Sequence, residues 1–219
     1  WSTINPQQVD DLVFYVMLGV IAGGRLGYIL FYGWANLAED PLYFFKIWQG
    51  GMSFHGGLVG VLIAMWLYGR KLGNTMWQMT DFVAPLVPLG LGFGRIGNFI
   101  NGELWGKPTD VPWGFMVNGQ VLHPSMLYEA ILEGFVLFAI LWLFSKRERP
   151  YMSVSGLFFL LYGVFRFAVE FVRVPDAHIG YIAFGWVTMG QVLSLPMIAA
   201  GAILLIMAYR SADTMEAKA

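Results

Sequence analysis

The stretch Gly94-Arg95-Ile96-Gly97-Asn98-Phe99-Ile100-Asn101-Gly102-Glu103-Leu104-Trp105-Gly106 holds the densest set of chemistry-bearing side chains in the sequence. Arg95, Asn98, Asn101 and Glu103 supply a cation, two amides and a carboxylate within nine positions. The interspersed glycines let the backbone bend and approach a ligand closely. A helix end needs a cap, not this many polar groups in an otherwise apolar sequence. Arginine stays charged and grips phosphate with parallel N–H groups, so Arg95 points to an anionic ligand. Arg166 offers a second such cation. Glu170 and Arg173 follow it at four and seven residues, on one helix face, where the set can pair internally. A separate element, Ser53-Phe54-His55-Gly56-Gly57, opens another apolar stretch. Imidazole titrates near neutrality, which makes His55 a candidate general base; the alternative is a histidine that bonds the helix end. His123, just before Pro124 and Ser125 at a helix start, reads as structural, and so does His178. No histidine is spaced with Asp or Glu as metal ligands are, so no metal is expected.

These groups sit in an unusual solvent. Of 219 residues, 58% are apolar and 12% charged, against ~45–50% and ~25% in soluble domains. The chain therefore reads as embedded in a membrane. Its net charge of −1 excludes a strongly basic nucleic-acid binder. Cysteine is absent, which removes thiol nucleophiles, cysteine-type zinc sites and disulfides together. The polar start, Trp1 to Asp10, lacks the basic n-region of a cleavable signal peptide.

Six apolar stretches can serve as bilayer-spanning helices: Leu12–Tyr32, Ser53–Tyr68, Met76–Phe99, Pro124–Phe144, Val154–Val172 and Trp186–Tyr209. None alternates with period two as a barrel strand would. The expected fold is an all-α, polytopic membrane protein, residues 1–219 forming one transmembrane domain. Basic residues set its orientation. Seven (Arg70, Lys71, Lys146, Arg147, Arg149, Arg210 and Lys218) fall on one side and two (Lys46 and Lys107) on the other. The first side, with the C-terminus, is expected to be cytoplasmic, and the loops Gly33–Met52, Gly102–His123 and Pro175–Gly185 to lie outside. Gly19, Gly23 and Gly27, like Gly90 and Gly94, are spaced for close helix packing, with a gap or portal for lipid as the alternative.

Four arginines remain inside or at the edge of spans: Arg25, Arg95, Arg166 and Arg173. Unpaired, they would cost on the order of 10 kcal/mol, comparable with the stability of a whole domain. They must pair, face a wet cavity or bind an anion. Asp81, Glu103, Glu129, Glu133 and Glu170 are available partners. For Arg25, Asp81, Glu129 and Glu133, salt bridges between helices and functional roles stand level; for Arg95 and Arg166 a functional role is favoured. A transporter and a non-catalytic scaffold are the rival classes. The first conflicts with the absence of an inverted repeat. The second would make the arginines and their partners replaceable together.

Taken in order, these residues resemble the bacterial prolipoprotein diacylglyceryl transferase family. Gly94–Gly106 looks like its long signature and Ser53–Gly57 like its His-Gly-Gly element. Tyr162, Arg166, Glu170, Arg173, Pro175 and Asp176 look like its late helix. Similarity extends to Gly23-Gly24-Arg25-Leu26-Gly27-Tyr28 and to His123-Pro124-Ser125. The resemblance implies transfer of the diacylglyceryl group of phosphatidylglycerol to the lipobox cysteine in the signal peptide of a preprolipoprotein. A thioether forms and glycerol phosphate leaves, as the first step of lipoprotein maturation at the inner (cytoplasmic) membrane, with the active site towards the periplasm. No cofactor is implied. Family members begin with a further helix that nothing before Leu12 supplies, so the chain is expected to lack its natural start and the intact protein to have seven spans.

On that reading His55 is the candidate base for the substrate thiol, and Arg95 and Arg166 hold the lipid phosphate as charge grows on the departing oxygen. Asn98 and Asn101 would bond head-group oxygens. Glu103 and Glu170 would orient the arginines, Gly56 and Gly106 would serve close packing or backbone approach, and Tyr162 and Arg173 would complete the substrate site.

Overall fold

The structure, a computed structural model, describes residues 4–175 and 179–216. The expectations for Asp176, His178 and Lys218 fall outside the described residues. The chain divides between Thr80 and Asp81 into two compact units.

In the first unit, α1 (Pro6–Tyr32) leads through a short α2 (Trp34–Glu39) and two 3-10 turns, Pro41–Phe45 and Ile47–Gln49, to α3 (Phe54–Leu72). Asn5 and Gln8 form a capping box at the start of α1, with Pro6 at its first position. Ser53 caps α3 by accepting from the Gly56 N–H at 3.2 Å, and Gly73 closes it in the left-handed conformation at φ 73°. α1 and α3 touch backbone to backbone. A Cβ on Gly19 would meet the Gly60 carbonyl oxygen at 2.5 Å, and one on Gly27 would meet Gly56 Cα at 2.7 Å. The glycine spacing of α1 thus serves close helix contact, which supplies dispersion where lipid offers no hydrophobic drive, whereas a Cβ on Gly90 or Gly94 would meet nothing among the described residues within 4 Å, so that pair does not pack closely.

Arg25 forms no salt bridge among the described residues. It is 1% exposed and spends its guanidinium on backbone carbonyls of the loop after α2. Nε donates to Phe44 O at 3.1 Å, Nη1 to Gly50 O at 2.5 Å and Gly51 O at 3.1 Å, and Nη2 to Lys46 O at 3.3 Å and to Tyr43 O. The Tyr43 ring stacks 4.4 Å from the guanidinium carbon. In the same loop, Asp40 accepts from Lys46 Nζ and from the Leu42 N–H, and the lysine bond holds its carboxyl below the usual carboxylate range.

The remaining helices begin with α4 (Met76–Val83) and α5 (Val87–Ile100). The apolar stretch Met76–Phe99 is therefore two helices rather than one. Pro85 and Pro88 lack the N–H needed to carry a helix through Ala84–Leu86. A hairpin follows, β1 (Phe115–Val117) pairing antiparallel with β2 (Gln120–Leu122), Phe115 opposite Leu122. Its turn, Asn118-Gly119, has positive φ at both residues, the geometry that twists into a two-residue hairpin. This hairpin is the departure from a purely helical chain. Next come α6 (Ser125–Glu129), a π-helical segment (Ala130–Val136) and α7 (Leu137–Ser145), which run on as one rod, then α8 (Ser153–Val169) and α9 (Met189–Glu216).

Asp81 also differs from an arginine partner. Its buried carboxylate accepts from the N–H groups of Met152 and Ser155, both at 2.8 Å, and from Ser155 Oγ at 2.6 Å. It caps α8 from a distant part of the chain. Ala84, Leu137, Leu141 and Val154 form an apolar core beneath it, packed by Phe158, Leu161, Tyr162 and Phe165. α8 and α9 cross at Gly156 and Gly201, where a Cβ on Gly156 would meet Gly201 O at 3.1 Å.

All six predicted stretches contain helix. Pro6–Tyr32, Ser125–Ser145 and Met189–Ala212 are long and apolar enough to cross a bilayer, and α4 with α5 makes a fourth if the bent pair acts as one span.

Candidate functional site

Three arginines from separate positions in the second unit converge on one carboxylate. Arg95 comes from α5, Arg166 from the last turn of α8, and Arg173 from just beyond it. Glu129, at the end of α6, is 0% exposed. Its Oε2 lies 2.7 Å from Arg95 Nε and 3.1 Å from Arg166 Nη1, and its Oε1 lies 2.5 Å from Arg173 Nη1. Glu170 forms a second node: Oε1 is 2.7 Å from Arg166 Nη2 and 3.1 Å from Arg173 Nε. Thr188 Oγ1 donates to Glu170 Oε2 at 2.6 Å, and Thr188 is itself held by Gln191. Glu133 is looser, with one oxygen 3.8 Å from Arg166 Nη1.

The crossing of α5 with the π-helical segment makes this convergence possible. Gly92 and Gly134 meet without side chains between them, one turn from Arg95 and next to Glu133. The carboxylates are sealed while the arginines stay partly open, at 25%, 18% and 14% side-chain exposure for Arg95, Arg166 and Arg173. The cations thus keep faces available to a ligand. Arg166, Glu170 and Arg173 line a small cavity of about 30 Å³ with Thr188, Met189 and Gly190. Arg173 also borders an opening of about 290 Å³ with Leu104, Trp105 and Ser125.

The signature stretch reaches this network through Arg95. Its Nη1 donates to Asn98 Oδ1 at 3.4 Å, and Asn98 Nδ2 donates to Glu103 Oε2 at 3.0 Å. Glu103 therefore acts on Arg95 through Asn98, whereas Glu170 contacts Arg166 and Arg173 directly. Asn101 ends α5 and is exposed. After it the backbone turns sharply, with Gly102 at φ 71° and Leu104 at φ 60°. The left-handed conformation at Leu104, unfavourable for a branched side chain, is held by the buried Ser125, whose Oγ donates to Leu104 O at 2.7 Å.

Gly106 then threads between two strands of backbone. Its N–H donates to His123 O and the Lys107 N–H to Val172 O, both at 2.8 Å. A Cβ on Gly106 would meet Val172 O at 2.5 Å. Only glycine fits, and the contact ties the signature to the segment that carries Arg173. His123 is structural here: its Nδ1 is 3.1 Å from the Tyr128 hydroxyl, which accepts from Trp113 Nε1 at 2.8 Å. Tyr162 stacks on Phe158, with ring centroids 5.8 Å apart, and lies in the electrostatic field of Glu133 and Arg166.

The first unit holds His55 and Gly56. His55 is exposed in the first turn of α3, its ring edge-on to Phe54 at 5.6 Å. Gly56 packs on Gly23 and Gly27. Among the described residues, no group of three or more His, Asp and Glu side chains is arranged to hold a metal ion.

In the sequence Glu129 stands as one of five available carboxylates. A signal existed, because Glu129 and Glu133 share one face of an apolar stretch, four residues apart. Thr188, Gln191 and Ser125 carry no such signal, since hydroxyl and amide groups at helix starts are common.

Apolar helices that gather three arginines and three glutamates into one internal network define a helical membrane protein with a polar centre. Residues 1–207 match the family model described as prolipoprotein diacylglyceryl transferase, and the chain belongs to that family. It is 58% identical over 220 residues to a Pseudomonas aeruginosa protein, covering 99% of this chain and 82% of that one. The Methylococcus capsulatus relative is 63% identical over 208 residues, 94% of this chain and 79% of its own. That of Azotobacter vinelandii is 61% identical over 214, covering 96% and 80%. Each relative is named phosphatidylglycerol–prolipoprotein diacylglyceryl transferase. The chain is a bacterial membrane protein.

Proposed function

We propose that this protein transfers the diacylglyceryl group of phosphatidylglycerol to the lipobox cysteine of a preprolipoprotein, the first step of lipoprotein maturation. The observation that carries the reading is the convergence of Arg95, Arg166 and Arg173 on Glu129 with their outer faces open. A lipid phosphodiester matches three preorganised guanidinium groups beside apolar helices. Family membership and the names of the relatives support the same chemistry.

The cysteine sulfur attacks the glycerol carbon that bears the phosphate. The S–C bond forms as the C–O bond breaks, its electron pair moves to the phosphate oxygen, and glycerol phosphate departs. The thiol, with an ordinary pKa of ~8.5, must lose its proton, and His55 is the proposed acceptor. Arg95 and Arg166 hold the phosphate and oppose the charge that builds on it. Arg173 adds a third cation, and Asn98 and Asn101 bond head-group oxygens. Glu103, through Asn98, and Glu170 keep the arginines from swinging into lipid. Tyr162 lines the substrate site. Gly56 and Gly106 admit backbone where a side chain would not fit.

The proposed setting is the inner membrane. One transmembrane domain crosses it six times within this chain, with the loops around Lys46, Lys107 and Pro175 towards the periplasm and the C-terminus in the cytoplasm. The excess of Lys and Arg on the other loops supports that orientation.

The test uses the purified chain in phosphatidylglycerol liposomes with a lipobox-cysteine peptide, read by mass spectrometry. Wild type is expected to add one diacylglyceryl group, and Arg95→Ala to lose at least about a hundredfold in rate while remaining inserted and monodisperse. Wild-type-like lipidation by Arg95→Ala would sink the phosphate-clamp reading.

A further inference from the structure

With every carboxylate ionised, charge among the direct ion contacts of the arginine network balances without a ligand. Arg95, Arg166 and Arg173 face Glu129, Glu133 and Glu170, three positive against three negative. A phosphodiester brings one further negative charge into a site walled by apolar helices, where an uncompensated charge is costly. Some carboxylate must leave or be neutralised, and the geometry distinguishes the three. Glu129 accepts from all three arginines at 2.5–3.1 Å. Glu170 accepts from Arg166, Arg173 and the Thr188 hydroxyl. Glu133 is different. Its only ion contact among the described residues is Arg166 at 3.8 Å, beyond hydrogen-bond length, and its Oε1 accepts no hydrogen bond there. It is 1% exposed.

We propose that Glu133 is the proton reservoir of the site, ionised while the arginines face only protein carboxylates and taking up one proton from water as the lipid phosphodiester binds. The bound state then carries three guanidinium groups against two carboxylates and one phosphodiester, and remains neutral. The groups that face Glu133 fit this role. Glu129 precedes it on the same rod, Arg95 comes from α5, Tyr162 and Arg166 from α8, and Arg173 from beyond α8. Tyr128 on α6 is engaged elsewhere, with Trp113 and His123, and α7 carries no titratable side chain. Protonation also gives Glu133 an O–H to donate, which lets Arg166 shift its free N–H groups towards the phosphate. Glu133 is a positioning residue on this account and need not touch the lipid.

The inference rests on phosphatidylglycerol being the substrate, and the experiment separates the two claims. Short-chain phosphatidylglycerol is titrated into the detergent-solubilised full chain by calorimetry, in buffers of differing ionisation enthalpy, across a pH series. Wild type is expected to take up about one proton per lipid, and its affinity to weaken about tenfold per pH unit on the alkaline side. Glu133→Gln, of matching shape, is expected to bind with no proton uptake and a flat pH dependence. Binding by wild type without proton uptake overturns the inference and leaves the substrate reading standing. Undiminished uptake in Glu133→Gln likewise overturns it. Failure of wild type to bind phosphatidylglycerol at all overturns both. Should Glu133→Gln not fold, Glu133→Met provides the second variant and is judged by the same loss of proton uptake.

Discussion

A methyl group on Gly134 would lie 2.6 Å from the Cα of Gly92. No side chain separates the two helices there, and this contact sets the reach of Arg95 to Glu129. Gly134→Val is expected to push α5 away, at a cost of ~1–3 kcal/mol or more, and to lower diacylglyceryl transfer more than tenfold. The lipidation assay on size-selected monodisperse protein checks it. Full activity in that variant would show that the crossing does not control the site.

Removal of Glu129 strands three guanidinium groups together. Breaking a buried ion network by deleting one partner typically costs ~3–5 kcal/mol. Glu129→Ala is therefore expected to lower the thermal midpoint well below that of Arg95→Ala, which leaves Glu129 still paired with Arg166 and Arg173. Thermal unfolding of both in the same detergent makes the comparison. Equal midpoints would mean that Glu129 is not the keystone of the network.

The role of His55 is read from pH dependence. A general-base reaction slows at acid pH as the base becomes protonated. The His55→Gln enzyme should be slower by about 10²–10⁴-fold and should lose that acid limb. An active variant with the wild-type profile would remove His55 from consideration as the base.

Asp81→Ala takes away the cap of α8. The two lost N–H bonds and the serine bond predict a loss of roughly 1–2 kcal/mol, as for other helix caps. Asp81 makes no direct ion pair with Arg95, Arg166 or Arg173 among the described residues. Specific activity per folded molecule is thus expected to stay near wild type below the lowered midpoint. A large fall in specific activity with an unchanged midpoint would contradict the capping role.

The polar content of the site was legible because lipid makes charge conspicuous. Arg95 and Arg166 stand out in an apolar sequence, and so do Asn98 and Glu103. What the sequence could not say was who meets whom. Asp81 and Glu129 look alike as acids in apolar stretches, yet one caps a helix and the other gathers three arginines. Arg25 looks like Arg95, yet it is spent on loop carbonyls, because its partners are backbone groups that carry no residue signature. The broken span at Ala84–Leu86 had a visible cause in Pro85 and Pro88. The hairpin was marked by Asn118-Gly119, although its strands are too short to show alternation.

The arginine–glutamate network also bears on biosynthesis. Each element that contributes to it carries charge that lipid tolerates poorly in isolation: Arg95 on α5, two glutamates on the rod Ser125–Ser145, and Arg166 on the 17-residue α8. The charges cancel only when these elements are together. Helices made early in translation must therefore wait, shielded by the insertion machinery or by partial burial, until α8 emerges. The same neutrality that lets the finished protein rest in the bilayer makes its assembly a collective event, in which late-synthesised residues release the early ones into lipid.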